Sequence, residues 1–299
     1  MDAKTADART HEFDAQDVEY IRHGDKPLLA RVYKPRGEGP FPALVDLHGG
    51  AWCIADRNTD KVRHEFLASH GCVIVSLDFR MAKEGAYPLA LADINYAVRW
   101  TKLHAKELKT RPDLVGISGQ SSGGHLAMLA AMRPHDPRYT AIPLPAGSPA
   151  LDATVKFAVL SWPVINPLSR YRHAKRSAAL PNPPEWPAGI IDKHHQFWGT
   201  EANMAEGNPM LMLERGEKVT MPPAIWHQAR GDVLHDYKDE DSSSPDTEAP
   251  RFVKNYRKAG GDIELCYFES DRKPGHSPDL TKIGDTFSRM LAFIEKHGT

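Results

Sequence analysis

An α/β fold with a mostly parallel central sheet and helices on both faces is the architecture this sequence predicts, on three observations. Strand-like apolar runs alternate with helix-like ones along most of the chain, the pattern of strand, crossover helix and strand. Some runs are continuously apolar, as in Gly71-Cys72-Val73-Ile74-Val75-Ser76-Leu77, which suits strands covered on both faces. At 299 residues, 41% hydrophobic and 26% charged, the chain can bury one large core, so a single domain over 1–299 carrying one insertion is expected.

Taken in order, a short, mostly polar stretch precedes the first strand-like segment, Val18-Glu19-Tyr20-Ile21. Phe41 to Leu47 reads as a strand that ends in His48-Gly49-Gly50-Ala51-Trp52, and Gly71 to Leu77 as the next. A helix starts near Pro88, a residue tolerated in a first turn, and Leu91, Asn95, Val98 and Lys102 make only part of its face apolar. Asp113 to Ile117 is apolar enough for a strand, enters Gly119-Gln120-Ser121-Ser122-Gly123, and continues into the helical Leu126 to Ala131. Lys156 to Trp162, Pro223 to Gln228 and Ile263 to Phe268 read as further strands, the last followed by a final helix.

Between Pro163 and Met221 the alternation breaks, and Pro181, Pro183, Pro184, Trp186, Pro187, Phe197 and Trp198 crowd together. An insertion of this size in a compact domain is usually functional. It is expected to be a cap, residues 163–221, inserted after the sixth strand and lying over an active site; a decorative surface insertion or a contact between copies in a homo-oligomer is the alternative.

The turn at 119–123 fits Gly-x-Ser-x-Gly, whose glycines let the backbone bend so tightly that the central serine projects toward a reactant. Ser121 is the candidate nucleophile. A hydroxyl needs a base and an acid to orient it, supplied in this arrangement in the chain order Ser, Asp/Glu, His. Asp232, in the turn after the Pro223–Gln228 strand, is the expected acid, with Asp236 and Asp239 as rivals in an otherwise ordinary charge run; His276, in the loop after the last strand, is the expected base. The glycines at 49 and 50 leave amides free to hold a developing oxyanion. The expected donors are in Gly49, Gly50 and Ala51, with the amide of Ser122, the residue after the nucleophile.

Those residues carry a resemblance. With Asp78-Phe79-Arg80-Met81-Ala82, Tyr87-Pro88 and the Asp93 to Trp100 stretch between them, the His-Gly-Gly and Gly-x-Ser-x-Gly segments resemble the α/β-hydrolase superfamily, in its hormone-sensitive-lipase-like and bacterial carboxylesterase branch, over about residues 25 to 295. The resemblance implies an α/β-hydrolase fold and a serine hydrolase that cleaves carboxylic esters of small to medium size through an acyl-enzyme. An amidase, formamidase or lactonase on the same triad is the alternative, and a non-catalytic ligand-binding member of the fold is the alternative of another class. Two departures stand out: Ala51 where many relatives carry a third glycine, and Gly-Gln-Ser-Ser-Gly-Gly where many carry Gly-Asp-Ser-Ala-Gly-Gly.

Substrate contacts are expected from Trp52, beside the oxyanion loop, which either lines a pocket or packs in the core, and from Arg170 and Arg172. These two arginines open a basic cluster that either grips a substrate carboxylate or faces solvent. A formal net charge of −1 with no basic stripe argues against nucleic acid and anionic membranes as partners. The first residues lack an apolar core of a signal peptide, and no long apolar run suggests a membrane span. Cys53, Cys72 and Cys266 are few and widely spaced, which suits a reducing, cytoplasmic setting. His173, His194 and His195 share a region without a metal-binding spacing, so no metal is expected, and no phosphate-loop or dinucleotide motif implies a cofactor.

Overall fold

The computed structural model describes residues 11–269 and 285–299. Strands β1 (Phe13–His23), β2 (Lys26–Pro35), β3 (Ala43–Leu47), β4 (Val73–Leu77), β5 (Val115–Gln120), β6 (Ala158–Ser161), β7 (Ala224–Ala229) and β8 (Ile263–Phe268) form one sheet in the order β1-β2-β4-β3-β5-β6-β7-β8. β1 pairs antiparallel with β2, and β2 with β4; every later neighbour is parallel. This is the predicted class. The short central strands β3 and β4 are buried at every position, as continuous apolar runs require when helices cover both faces.

Helices α1 (Lys61–Ser69), α2 (Leu89–Leu103), α3 (Ser122–Met132), α8 (Glu248–Lys258) and α9 (Thr286–His297) supply that cover, with α4 (Pro167–Ala178), α5 (Trp186–Trp198), α6 (Glu201–Glu206) and α7 (Pro209–Glu214) between β6 and β7. Leu67 of α1 and Met290, Phe293 and Ile294 of α9 pack on Leu44, Ile74, Val159 and Ile225 on one face. Leu91, Leu126, Leu129, Phe252 and Tyr256 of α2, α3 and α8 pack on Val45, Val75 and Ile117 on the other. α2 is more deeply buried than its sequence suggests, because Asn95 and Arg99 go inside with their polar atoms satisfied. Asn95 Nδ2 donates to the Pro134 carbonyl at 2.9 Å, and Arg99 Nη2 to the Ile142 carbonyl at 2.7 Å.

Three of the prolines after β6 belong to helix starts, while Pro181, Pro183 and Pro184 lie in the connection between α4 and α5. Pro167, Pro187 and Pro209 stand in the first turns of α4, α5 and α7, where a missing N–H costs nothing. Asn166, Thr200 and Asn208 cap α4, α6 and α7, each accepting from the amide three residues on at 3.1–3.2 Å.

One buried ion cluster fixes α1 to the sheet. Arg63 Nη2 donates to both Asp46 oxygens at 2.8 and 3.0 Å and to Asp60 Oδ2 at 3.0 Å, while His64 Nε2 lies 2.7 Å from Asp46 Oδ2 and the Ser118 hydroxyl also donates to Asp46. Burial opposes ionisation of Asp46, yet Arg63, His64 and Ser118 together hold its carboxyl below the usual range. Removing the cation leaves two buried carboxylates without it, so Arg63→Met lowers unfolding free energy by about 3–5 kcal/mol. Urea denaturation of the two proteins measures this; a loss below about 1 kcal/mol contradicts it.

Candidate active site

The site is assembled at the carboxyl ends of β3, β5 and β7, where an open parallel sheet gathers its loops. At the end of β5 the chain turns at Ser121 with φ 51° and ψ −120°, a conformation that costs a non-glycine residue about 1–3 kcal/mol. Its surroundings explain why it persists. A Cβ on Gly123 would stand 2.1 Å from the Leu47 carbonyl oxygen, and one on Gly119 2.5 Å from Gly123 itself. The first turn of α3 therefore seats directly on the ends of β5 and β3 only because both positions lack a side chain. The Ser121 amide donates to the Ser161 carbonyl at 2.9 Å, and its carbonyl accepts from Val164 at 3.0 Å and His125 at 3.1 Å.

The Ser121 hydroxyl lies 2.9 Å from an imidazole nitrogen, His235 Nε2. The opposite nitrogen, Nδ1, donates to Asp232 Oδ2 at 2.8 Å. Asp232 also accepts from the Leu234 amide at 3.0 Å, and the Asp236 amide returns to the Asp232 carbonyl at 2.9 Å. These bonds close a tight turn after β7 that throws His235 back over its own acid. Burial pushes the Asp232 carboxyl up, but the His235 imidazole, its hydrogen bond and the Leu234 amide outweigh that and hold it below the ordinary carboxylate range. His235 and Asp232 are both almost fully shielded from solvent.

Two of the three residues expected from sequence, Ser121 and Asp232, thus come together. His276 lies outside the described residues. The imidazole at Ser121 is His235, which was not among the residues expected from sequence and stands just before the run from Asp236 to Asp241 that was expected to be solvated. That expectation needs correcting: His235, Tyr237 and Asp239 are buried, Tyr267 Oη donates to Asp236 at 3.0 Å and Asp236 accepts from the Ala249 amide at 3.0 Å. Leu234 and Tyr237, apolar residues interleaved with the charges, were the available signal.

The loop after β3 lies against the serine turn, with Gly49 so close that a Cβ there would meet the Ser121 Cβ and the Gln120 carbonyl at 3.3 Å. Gly50, Ala51 and Trp52 follow with φ of 97°, 51° and 64°, successive left-handed residues of the kind that cup an anion between amides. Among the described residues, the amides of Gly49, Gly50, Ala51 and Ser122 donate to no protein acceptor; that of Ser122 is a first-turn helix amide, free by construction. The Trp52 amide donates to Ser122 Oγ at 3.1 Å, tying the loop to α3. His48 stacks on Phe79, ring centroids 4.5 Å apart, and donates from Nδ1 to the Gly49 carbonyl at 2.9 Å.

Trp52 packs in the core, 1% exposed, with its indole N–H donating to His125 Nδ1 at 3.2 Å. Arg170 and Arg172 do not act as the joint clamp expected of them, because residues two apart on a helix face different ways. Arg172 is half exposed and ion-paired with Glu201 at 2.8 Å and Asp241 at 3.4 Å, whereas Arg170 is buried, its guanidinium 5.7 Å from the Trp52 ring centroid. Of the histidines checked for metal binding, His194 Nδ1 donates to the Ile190 carbonyl, His195 Nε2 meets Tyr171 Oη at 2.8 Å, and His173 stacks on Tyr237. The stretch after β4 is a staple: Asp93 accepts from the Arg80 amide and guanidinium at 2.8–3.2 Å and lies 2.8 Å from His23 Nε2. Among the described residues no helix is long and apolar enough to cross a membrane, and Cys53, Cys72 and Cys266 are unpaired.

The BD-FAE family model matches residues 31–159. The carboxylic ester hydrolase LipN of Mycobacterium tuberculosis is 28% identical over 252 residues, covering 81% of this chain and 59% of that protein. The esterase LipC of the same organism is 33% identical over 140 residues, covering 45% and 34%. The chain thus spans less than two thirds of the length of either. Among solved structures, an esterase of Pyrobaculum calidifontis superposes with a TM-score of 0.69 at 22% identity, covering 95% of this chain and 85% of that one, a likeness of fold. With the strand order and the serine turn already described, these similarities show an α/β-hydrolase fold in a chain that is similar, over part of their length, to carboxylic ester hydrolases.

Proposed function

We propose that the protein is a serine hydrolase of small to medium carboxylic esters, with Ser121, His235 and Asp232 as its proton-passing line. The observation that carries this reading is the pair of hydrogen bonds Ser121 Oγ to His235 Nε2, 2.9 Å, and His235 Nδ1 to Asp232 Oδ2, 2.8 Å. The names of the partial relatives support the ester as substrate.

With its proton on Nδ1 and directed at Asp232, His235 presents the Nε2 lone pair to the serine hydroxyl. His235 takes that proton as Ser121 Oγ attacks the ester carbonyl. Negative charge then develops on the carbonyl oxygen, beside the free amides of the 49–51 loop and Ser122, whose preorganised N–H dipoles stabilise it by about 3 kcal/mol per donor. His235 returns the proton to the departing alcohol, and water repeats the sequence to release the acid. In this reading α4 to α7 are the cap, since α4 touches the base-bearing loop directly: His173 Nε2 donates to the Val233 carbonyl at 3.2 Å. The unpaired thiols suit the cytoplasm as the working compartment.

A fluorophosphonate labels Ser121 in the parent and nothing in Ser121→Ala; a parent that fails to react is a ligand receptor on this fold. p-Nitrophenyl acetate is turned over faster than the matching anilide or an N-formyl amine, and the opposite ranking identifies an amidase or formamidase. His235→Ala lowers kcat/KM by about 10⁴-fold, and His276→Ala lowers it far less. If His276→Ala is the silent variant and His235→Ala stays active, the base assigned here is wrong.

A further inference from the structure

We propose that Arg170 is a positioning residue of this site: a buried guanidinium, unpaired among the described residues, that sits on Trp52, belongs to a helix docked on the Asp232–His235 turn, and sets the charge environment in which that pair works. The inference rests on the hydrolytic reading above.

The residue is 2% exposed, and among the described residues no carboxylate lies within ion-pairing distance of it. Its Nε and Nη1 donors are shielded from solvent and have no hydrogen-bond acceptor among the described residues. Leaving a cation in that condition costs several kcal/mol, and Arg63 shows that the same fold pairs a buried arginine where only anchoring is needed. What Arg170 has instead is a place between the two halves of the site. On one side its guanidinium is 5.7 Å from the centroid of Trp52, which belongs to the oxyanion loop and holds Ser122 Oγ and His125. On the other, one helical turn along, His173 donates to Val233 and stacks on Tyr237 with centroids 4.0 Å apart, so α4 is docked on the turn that carries Asp232 and His235.

The ionisable groups around it respond to its charge. His125 of α3 is pushed down to about 4 and His194 of α5 to about 3, by burial first and with the Arg170 charge adding in the same direction. His173, on its own helix, is lowered likewise. In the turn after β7, the Arg170 charge favours the ionised forms of Asp232 and Tyr237. Burial lowers Arg170 itself, to about 10, which leaves it charged at neutral pH. The consequence is selective. The two buried imidazoles packed on Trp52, those of His125 and His194, are kept neutral.

The test compares the parent, Arg170→Lys and Arg170→Met, each checked for folding by circular dichroism and thermal melting, with p-nitrophenyl acetate as substrate. Arg170→Met lowers kcat about tenfold or more with KM little changed. It also moves the acid limb of the kcat/KM profile up, because the nearby cation no longer favours the ionised form of Asp232. Arg170→Lys keeps the parent limb and recovers most of kcat. The proposal is overturned if the Lys and Met variants lose activity equally with the limb unmoved, or if Arg170→Met matches the parent. Should Arg170→Met not fold, the limb of Arg170→Lys decides: kept, it supports the proposal, and displaced, it ends it. A parent inert toward every ester tested would instead be a failure of the hydrolytic reading.

Discussion

The contact on which the rest depends is the seating of α3 on the sheet at Gly123, where the helix backbone meets the Leu47 and His48 carbonyls with no room for a single carbon. That approach forces the chain to leave β5 through a left-handed serine and fixes the distance between the serine turn and the loop after β3. Both the projecting hydroxyl and the free amides beside it follow from one packing constraint. Conformational strain at Ser121 is tolerated because its amide donates to the Ser161 carbonyl and its carbonyl accepts from the Val164 and His125 amides, which over-determines its backbone.

The same constraint rationalises Ala51. Its φ of 51° is a glycine-like value, which explains why a glycine suits this position in related motifs and why alanine is a tolerable replacement. An isolated left-handed alanine costs about 1–2 kcal/mol, and neighbouring bonds, Cys53 and Ile54 amides to the Gly50 carbonyl at 3.1 and 3.2 Å, hold the turn in place.

How much of this was legible in the sequence varies with the physics. The parallel strands were, because burial on both faces writes itself as uninterrupted apolar runs, and β8 matches the expected Ile263–Phe268. β2 was not, since Lys26 and Pro35 flank a short alternation of Leu28, Ala30 and Val32 whose partner strand is set only by the fold. Ser121 was readable because its glycines are local. His235 was harder to read, because its only local signal is the apolar Leu234 and Tyr237 among charges, and the bonds that Asp236 accepts from the Ala249 amide and Tyr267 Oη come from residues distant in sequence. The arginine pair failed for a simpler reason, that a run of basic residues along a helix does not say which of them goes inside.

Those arginines make the more general argument. Arg63 and Arg170 are equally buried, so each pays the same desolvation, but the fold answers them differently. Arg63 receives Asp46, Asp60 and Ser161 in direct contact, and its charge is spent locally in fastening α1. Arg170 receives an aromatic face and, farther off, the field of Asp232. A charge neutralised by contact acts more weakly at a distance, whereas one without a contact partner among the described residues reaches the ionisable groups around it with less compensation. The unpaired cation is therefore the one whose position beside the Asp232–His235 turn has a consequence for chemistry rather than for anchoring alone.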